Sequence, residues 1–255
     1  MGGWLRGILR NVCLRHLRER QEEIHFELPE GVESAFLESS VEEAIDRLTT
    51  REWVWSAVGR LPEDFQLTAA LRYFSGYSSY KEISAVLGVP MGTVKSRLNM
   101  AKLKLAEALL ETAGLEHDDT RRLTEARANF FETAYAEYNQ ATGYDILASA
   151  FSRDLLFSLS NGRVFSQGYE FLVEDMKRDL ELGVKMHPTE VVSSKDVAVI
   201  ECDIETPPGN PRGCPPAFSQ VAVYHNGKIH RLHWYLPPRP VREGYWENNL
   251  PPEEG

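Results

Sequence analysis

The run Tyr80-Lys-Glu-Ile-Ser-Ala-Val-Leu-Gly-Val-Pro-Met-Gly-Thr-Val-Lys-Ser-Arg-Leu98 leaves this chain little freedom of fold. Ile83 and Leu87, then Val94, Leu98, Ala101 and Leu105, recur at three- and four-residue spacing. Each half therefore predicts a short helix with one apolar stripe to bury against the other. Gly88 supplies the reversal between them, and Pro90 falls just inside the second helix, where its missing N–H costs nothing. Thr93 offers a hydroxyl to the first turn. Two such helices meeting at a glycine make a helix-turn-helix. At about 100° per residue, turning Val94, Leu98 and Ala101 inward sends Gly92, Thr93, Ser96, Asn99 and Met100 outward, where they can reach base edges. Lys95 and Lys102 on one flank, with Arg97 and Lys104 on the other, suit the phosphates lining a groove. No acid interrupts Gly88 to Ala106, so the expectation is DNA binding rather than a merely solvated basic face.

The blocks Leu61-Pro-Glu-Asp-Phe, Leu71-Arg-Tyr-Phe-Ser-Gly-Tyr, Tyr80-Lys-Glu-Ile, Leu87-Gly-Val and Gly92-Thr-Val-Lys-Ser-Arg-Leu resemble the promoter-reading C-terminal domain of extracytoplasmic-function (ECF) sigma factors. The resemblance spans about residues 41–114. It implies that the second helix reads the −35 element of promoter DNA and that the domain docks on the β flap of core RNA polymerase. In the family an Arg-Ala-Arg run usually follows Ser-Arg-Leu, whereas this chain has Asn99-Met-Ala-Lys102. Each lost phosphate contact lowers the salt slope by about one, so backbone binding should be weaker and less salt-sensitive.

Residues 1–20 form an amphipathic pattern, with Trp4, Ile8, Leu9, Cys13 and Leu17 apolar and Arg6, Arg10, Arg15 and Arg18 around them. This resembles the last helix of the sigma domain that reads the −10 element. Two expectations follow: a start codon placed too far downstream, which is preferred, or a remnant of that domain that binds promoters without opening them. Glu19, Glu22 and Glu23 argue against a transit peptide. Residues 21–40, rich in Glu with Pro29 and Gly31, read as an acidic linker.

The formal charge of −10 is unusual for a DNA binder, but its distribution explains it. Residues 1–114 hold 14 Lys/Arg against 16 Asp/Glu, and the remainder holds 14 against 22. Most of the acidity therefore lies in a second domain, and the DNA signal is one local basic helix. At 255 residues and 42% apolar, the chain can bury two modest cores. No apolar run is long enough to span a bilayer, so no membrane partner is expected. Cys13, Cys202 and Cys214 have no metal-like spacing and suit a reducing cytoplasm without disulfides.

The second domain is expected over residues 119–237. A helix from Arg121 to about Ala150 presents Phe130, Ala134 and Tyr138 on one face, with Leu123 and Phe131 less regular. Leu155, Phe157 and Leu159 alternate into Asn161-Gly162 and then Val164-Phe165, a hairpin signal. A helix over Phe171–Leu182 precedes strands over Thr189–Ser193, Val197–Glu205, Phe218–Tyr224 and, after Asn226-Gly227, Ile229–Leu236. Helices followed by a strongly bent antiparallel sheet predict an α+β domain. The order resembles the cone-shaped SnoaL-like or nuclear transport factor 2-like fold, although no Asp-Gly-Gly-Gly-Lys motif of one related sigma group is present. The fold class is therefore multi-domain: an all-α, sigma region 4-like helix-turn-helix followed by an α+β SnoaL-like domain.

That resemblance implies a regulatory domain acting in cis, either as a packed docking domain or through a pocket for a small-molecule ligand, and it is compatible with a homodimer through the sheet. Asp154, Tyr169, Asp203, Tyr224 and His230 are the pocket candidates, because enzymatic cone folds use an Asp with Tyr or His for proton abstraction. His230 and His233, three apart on a strand, should face opposite ways and form no simple metal pair. No cofactor, metal or catalytic residue is expected. Residues 238–255 read as an acidic, Pro-rich tail carrying Tyr245-Trp246, able to fold back over the helix-turn-helix or the cone mouth. The reading is a cytoplasmic ECF-type sigma factor that is not an enzyme. The alternatives are a stand-alone helix-turn-helix regulator and a SnoaL-like isomerase or cyclase with a DNA-binding appendage.

Overall fold

The computed structural model describes residues 50–75, 79–112, 115, 117–140, 143–208 and 214–236. The expected helix over residues 1–20, the linker, the tail and Cys13 lie outside the described residues. Helix α1 covers residues 50–58; α2 (Glu63–Tyr73), α3 (Tyr80–Leu87) and α4 (Met91–Thr112) complete the helical part. The second part runs α5 (Asp118–Asn139), α6 (Asp145–Ser149), β1 (Phe151–Leu159), β2 (Val164–Phe165), α7 (Gly168–Glu181), β3 (Lys185–Ser193), β4 (Val197–Glu205), β5 (Ala217–His225) and β6 (Lys228–Tyr235).

A capping box starts α3. The Ser79 N–H donates to Glu82 Oε2 (2.8 Å) and the Glu82 N–H to Ser79 Oγ (3.1 Å), satisfying two donors that the helix end would leave open. Gly88 ends it at φ +63°, the left-handed conformation a side chain resists. Pro90 stands one residue ahead of α4, and its carbonyl accepts the Thr93 and Val94 N–H groups at 2.9 and 3.2 Å. In α3 the fully buried pair is Ile83 and Val86, with Leu87 only half-buried, and α4 is far longer than a minimal recognition helix.

Three expectations for the second part are corrected. The single helix over 121–150 is broken between Asn139 and Asp145, where Gly143 takes φ +155° and α6 turns toward β1. The six-stranded sheet, in the order β2-β1-β6-β5-β4-β3, is mixed rather than antiparallel, because β6 returns alongside β1 in parallel. Finally, β6 carries one extra residue: Val223 pairs with Arg231 and Tyr224 with Ile229, leaving His230 unpaired. Parity therefore no longer assigns His230 and His233 to opposite faces.

Both faces of the sheet are apolar, and each covers a different partner. Phe157, Ile200, Phe218, Ala222 and Leu232 pack under α5 and α7 against Phe131, Tyr135, Tyr138, Leu172 and Met176. On the other face Val192, Val197, Val199, Val221 and Val223 form one cluster with Val54, Trp55, Val58, Leu67 and Leu71 of α1 and α2. The helical part is thus seated on the sheet. A homodimer through this face would need the surface that α1 and α2 occupy.

Polar contacts clamp the seat at the β3–β4 turn. Ser194 Oγ donates to Gln66 Oε1 at 2.7 Å, and Arg51 donates to the Val191 carbonyl at 2.8 Å and meets Glu190 at 3.0 Å. From α5, Arg127 donates to the carbonyls of Ser194 and Lys195 at 2.6 and 2.7 Å. Bidentate arginine bonding fixes the turn more firmly than a single contact would.

Candidate nucleic-acid interface

Helix α4 buries Val94, Leu98 and Ala101 at 2% exposure or less, and that stripe sets the direction of everything opposite it. Gly92, Lys95, Ser96, Asn99, Met100, Lys102 and Lys104 are exposed and Thr93 is half-buried, so the face is open to solvent. At its edge the Tyr80 ring lies 5.6 Å from the Arg72 guanidinium and 5.9 Å from the Lys95 ammonium. Tyr80 and Arg72 were not among the sequence candidates. The available signal was the Ser79-x-x-Glu82 box, which starts α3 at Tyr80 and turns that ring outward.

Arg97 differs from the other cations. Its guanidinium makes a 2.6 Å ion pair with Asp64 in the first turn of α2. Held there, it braces α4 against α2 instead of standing free for a phosphate. Asp64→Asn should release it, steepening the salt dependence of DNA binding by about one unit in log K against log [salt]. A titration of fluorescent duplex DNA from 50 to 300 mM salt measures this, and an unchanged slope would show that Arg97 does not reach phosphate.

The five pocket candidates are spread over the second part. Asp154 is exposed on β1, where the Ser152 hydroxyl holds its carboxyl below the usual range. His230 lies within reach of that charge, and burial lowers its pKa. The His225 and His230 rings are 5.6 Å apart. Tyr169 lies under the Arg153 guanidinium (4.1 Å to the ring centroid), and Asp203 is exposed opposite His187 on β3. Tyr224 lies under Arg127 at 3.8 Å, and burial pushes its phenol up to about 12. Of the five, only Asp154 and His230 act on one another. Among the described residues no three His, Cys, Asp or Glu side chains are placed to hold a metal ion.

Aromatic rings pack closely beneath α5 and α7. Phe157 packs against Phe165, Phe171 and Trp234 at centroid distances of 5.7, 5.3 and 5.0 Å. Gln220 Nε2 donates to Tyr135 Oη at 2.8 Å, and its Oε1 accepts from Trp234 Nε1 at 3.1 Å. The Cys202 sulfur lies 3.4 Å from the same amide, and burial pushes its thiol up to about 12. Cys202 is a buried free thiol. On the opposite face His233 pairs across the ladder with Val221 and bonds to Ser158. Burial drives its pKa down to about 3, so it is neutral. Among the described residues, no helix is long and apolar enough to cross a membrane.

Comparison with known proteins matches this geometry. The family "Sigma-70, region 4" matches residues 51–105. The ECF RNA polymerase sigma factor EcfG of Rhodopseudomonas palustris is 36% identical over 122 residues, 47% of this chain and 64% of that protein. The sigma factor SigE of Mycolicibacterium smegmatis is 34% identical over 110 residues, 42% of each chain. The sigma-E factor of Escherichia coli K12 is 40% identical over 52 residues, 20% of this chain and 27% of that one. The chain thus spans less than two thirds of the length of these relatives. Among solved structures, an NTF2-like protein of unknown function from Cytophaga hutchinsonii superposes with a TM-score of 0.33 at 18% identity, over 42% of this chain and 85% of that one. A protein with a ketosteroid isomerase-like fold from Catenulispora acidiphila gives 0.32 at 17%, over 40% and 82%. Superpositions of that quality carry no functional argument. The sequence match and the open basic face of α4 coincide in one unit: residues 51–105 match sigma-70 region 4 and are similar to that part of ECF sigma factors, and this unit sits on the six-stranded sheet of an α+β domain.

Proposed function

We propose that this chain directs core RNA polymerase to a promoter −35 element, and that its α+β domain regulates this by gripping the back of region 4. The observation that carries the reading is the two-sidedness of region 4. Its basic α4 face is open, while Val54, Trp55, Val58, Leu67 and Leu71 of α1 and α2 are buried against the sheet. Thr93, Ser96, Asn99 and Met100 are positioned for base edges, and Lys95, Lys102 and Lys104 for phosphates. DNA can be read in the seated state, whereas a partner needing the backs of α1 and α2 must displace the sheet. The spread of Asp154, Tyr169, Asp203 and Tyr224 over separate partners supports this packing role over the isomerase or cyclase reading.

The test is in vitro transcription with core polymerase on DNA upstream of the protein's own gene, using this chain and its form extended through any in-frame upstream codons. A lock on the seat tests the regulation. A side chain at Gly59 would place its Cβ 3.3 Å from that of Ser194, close to disulfide geometry. In a Gly59→Cys/Ser194→Cys variant the oxidised form should bind DNA like the reduced one yet initiate about tenfold less, a coupling of ordinary allosteric size. Equal initiation by both forms would refute the regulatory role, and no initiation by any form would favour a regulator that never joins polymerase.

A further inference from the structure

The chain leaves the described fold beside region 4. Leu236 is held by Ser160, whose hydroxyl lies 3.4 Å from both the Leu236 nitrogen and its carbonyl oxygen. Two residues on, Gly162 in the β1–β2 turn touches α3: a Cβ there would stand 2.9 Å from that of Ala85. Residue 237 therefore starts next to the helix-turn-helix. Ten residues of extended chain reach about 33 Å, whereas α3 is about 12 Å long and Met91 to Met100 spans about 14 Å.

The chemistry of this segment complements the surface beside it. After Arg242 come Glu243, Glu247, Glu253 and Glu254 with no further cation, and Tyr245-Trp246 lies among them. The face within reach carries Lys95, Lys102 and Lys104, with no acid on α4 before Glu107. It also exposes three apolar side chains, Tyr80 (36%), Met91 (50%) and Met100 (41%). On a chain of net charge −10, this is a local basic surface with aromatic and thioether footholds.

We propose that residues 243–254 dock on the α3–α4 face as an internal competitor of DNA. The carboxylates meet the lysines that would otherwise meet phosphates, Tyr245-Trp246 covers Tyr80 and Met91 beside Lys95, and the segment that follows runs past Met100. The docking itself does not depend on the chain being a sigma factor; only its consequence rests on α4 reading DNA.

The test uses the full chain with two variants, Glu243→Gln/Glu247→Gln/Glu253→Gln/Glu254→Gln and Tyr245→Ala/Trp246→Ala. Methyl NMR of the methionines reads docking directly, and binding of a random-sequence 30-bp duplex reads competition. Both variants should shift the Met91 and Met100 methyl signals. The Gln variant should bind DNA about five- to tenfold more tightly at 50 mM salt, as expected if the face is covered 80–90% of the time. That gain should vanish near 0.5 M salt, where charges are screened within a few ångströms. Tighter binding with unmoved Met91 and Met100 signals overturns the proposal, because that is the signature of long-range repulsion by an undocked acidic segment. Signals that move with protein concentration mark a second copy as the occupant and also overturn it.

Discussion

Val221→Asp should unseat region 4 from the sheet. Val221 is fully buried on β5, between Val199 of β4 and His233 of β6, in the cluster shared with α1 and α2. A carboxylate there meets valines and a neutral imidazole rather than a cation. An unpaired buried charge costs about 3–5 kcal/mol, and lifting region 4 away lets water reach it. The other sheet face, with its own aromatic core, is left intact. The expected result is a larger radius of gyration in solution scattering and faster amide exchange in residues 50–75, with exchange in β4 and β5 still slow. Val221→Ala removes only two methyl groups, about 1.5 kcal/mol, and should stay seated. If Val221→Asp keeps the radius of the parent, the seat is held by the clamp at Gln66, Ser194 and Arg51 rather than by the valine face. Separate DNA-binding measurements should find the Asp variant still able to bind, because α4's stripe packs within region 4.

Gly168→Ala should be the most damaging single methyl in the α+β domain. Gly168 opens α7 directly over β1, where a Cβ would stand 2.6 Å from the Leu155 carbonyl oxygen, 2.7 Å from Phe157 Cβ and 2.8 Å from the Phe157 nitrogen. Two of these are backbone atoms in a paired strand, so the helix must move instead. Moving it opens the stack of Phe157 on Phe171 and of Phe171 on Phe165, whose centroids are 5.3 and 4.2 Å apart. Overpacking of this kind costs about 1–3 kcal/mol, and a backbone clash belongs at the upper end. Urea unfolding measures it. Gly92→Ala is the control, since nothing lies within 4 Å of a Cβ there and stability should hold or rise slightly. Equal destabilisation by both would mean that the approach of α7 to β1 is not as close as described.

The helix-turn-helix was legible because all its determinants are local. The stripe from Ile83 to Ala101, the left-handed Gly88 and the acid-free α4 act over a few turns, and each predicts the same two helices. The hairpins at Asn161-Gly162 and Asn226-Gly227 were legible for the same reason, since glycine takes positive φ in both and Asn226 in the second. The valine seat also left a signal. Val197-Ala198-Val199-Ile200 and Val221-Ala222-Val223 are continuous apolar runs, and a strand that is apolar on both sides needs cover on both. The pattern says that something covers the second face, without saying what.

Local sequence by itself determined the two helices of the helix-turn-helix, the two Asn-Gly hairpins and the side of α4 that meets solvent, because periodicity, caps and turns act within a few residues. Only the tertiary structure decided the parallel return of β6 beside β1, the extra residue at His230, the scatter of Asp154, Tyr169, Asp203 and Tyr224, and the seating of region 4 on the valine face. Most of these depend on contacts between residues far apart in sequence, such as Phe157 with Leu232 in the parallel pair and Gln66 with Ser194 across the seat. Apolar burial has no direction of its own, so it leaves the choice of partner to the shapes that the assembled elements present.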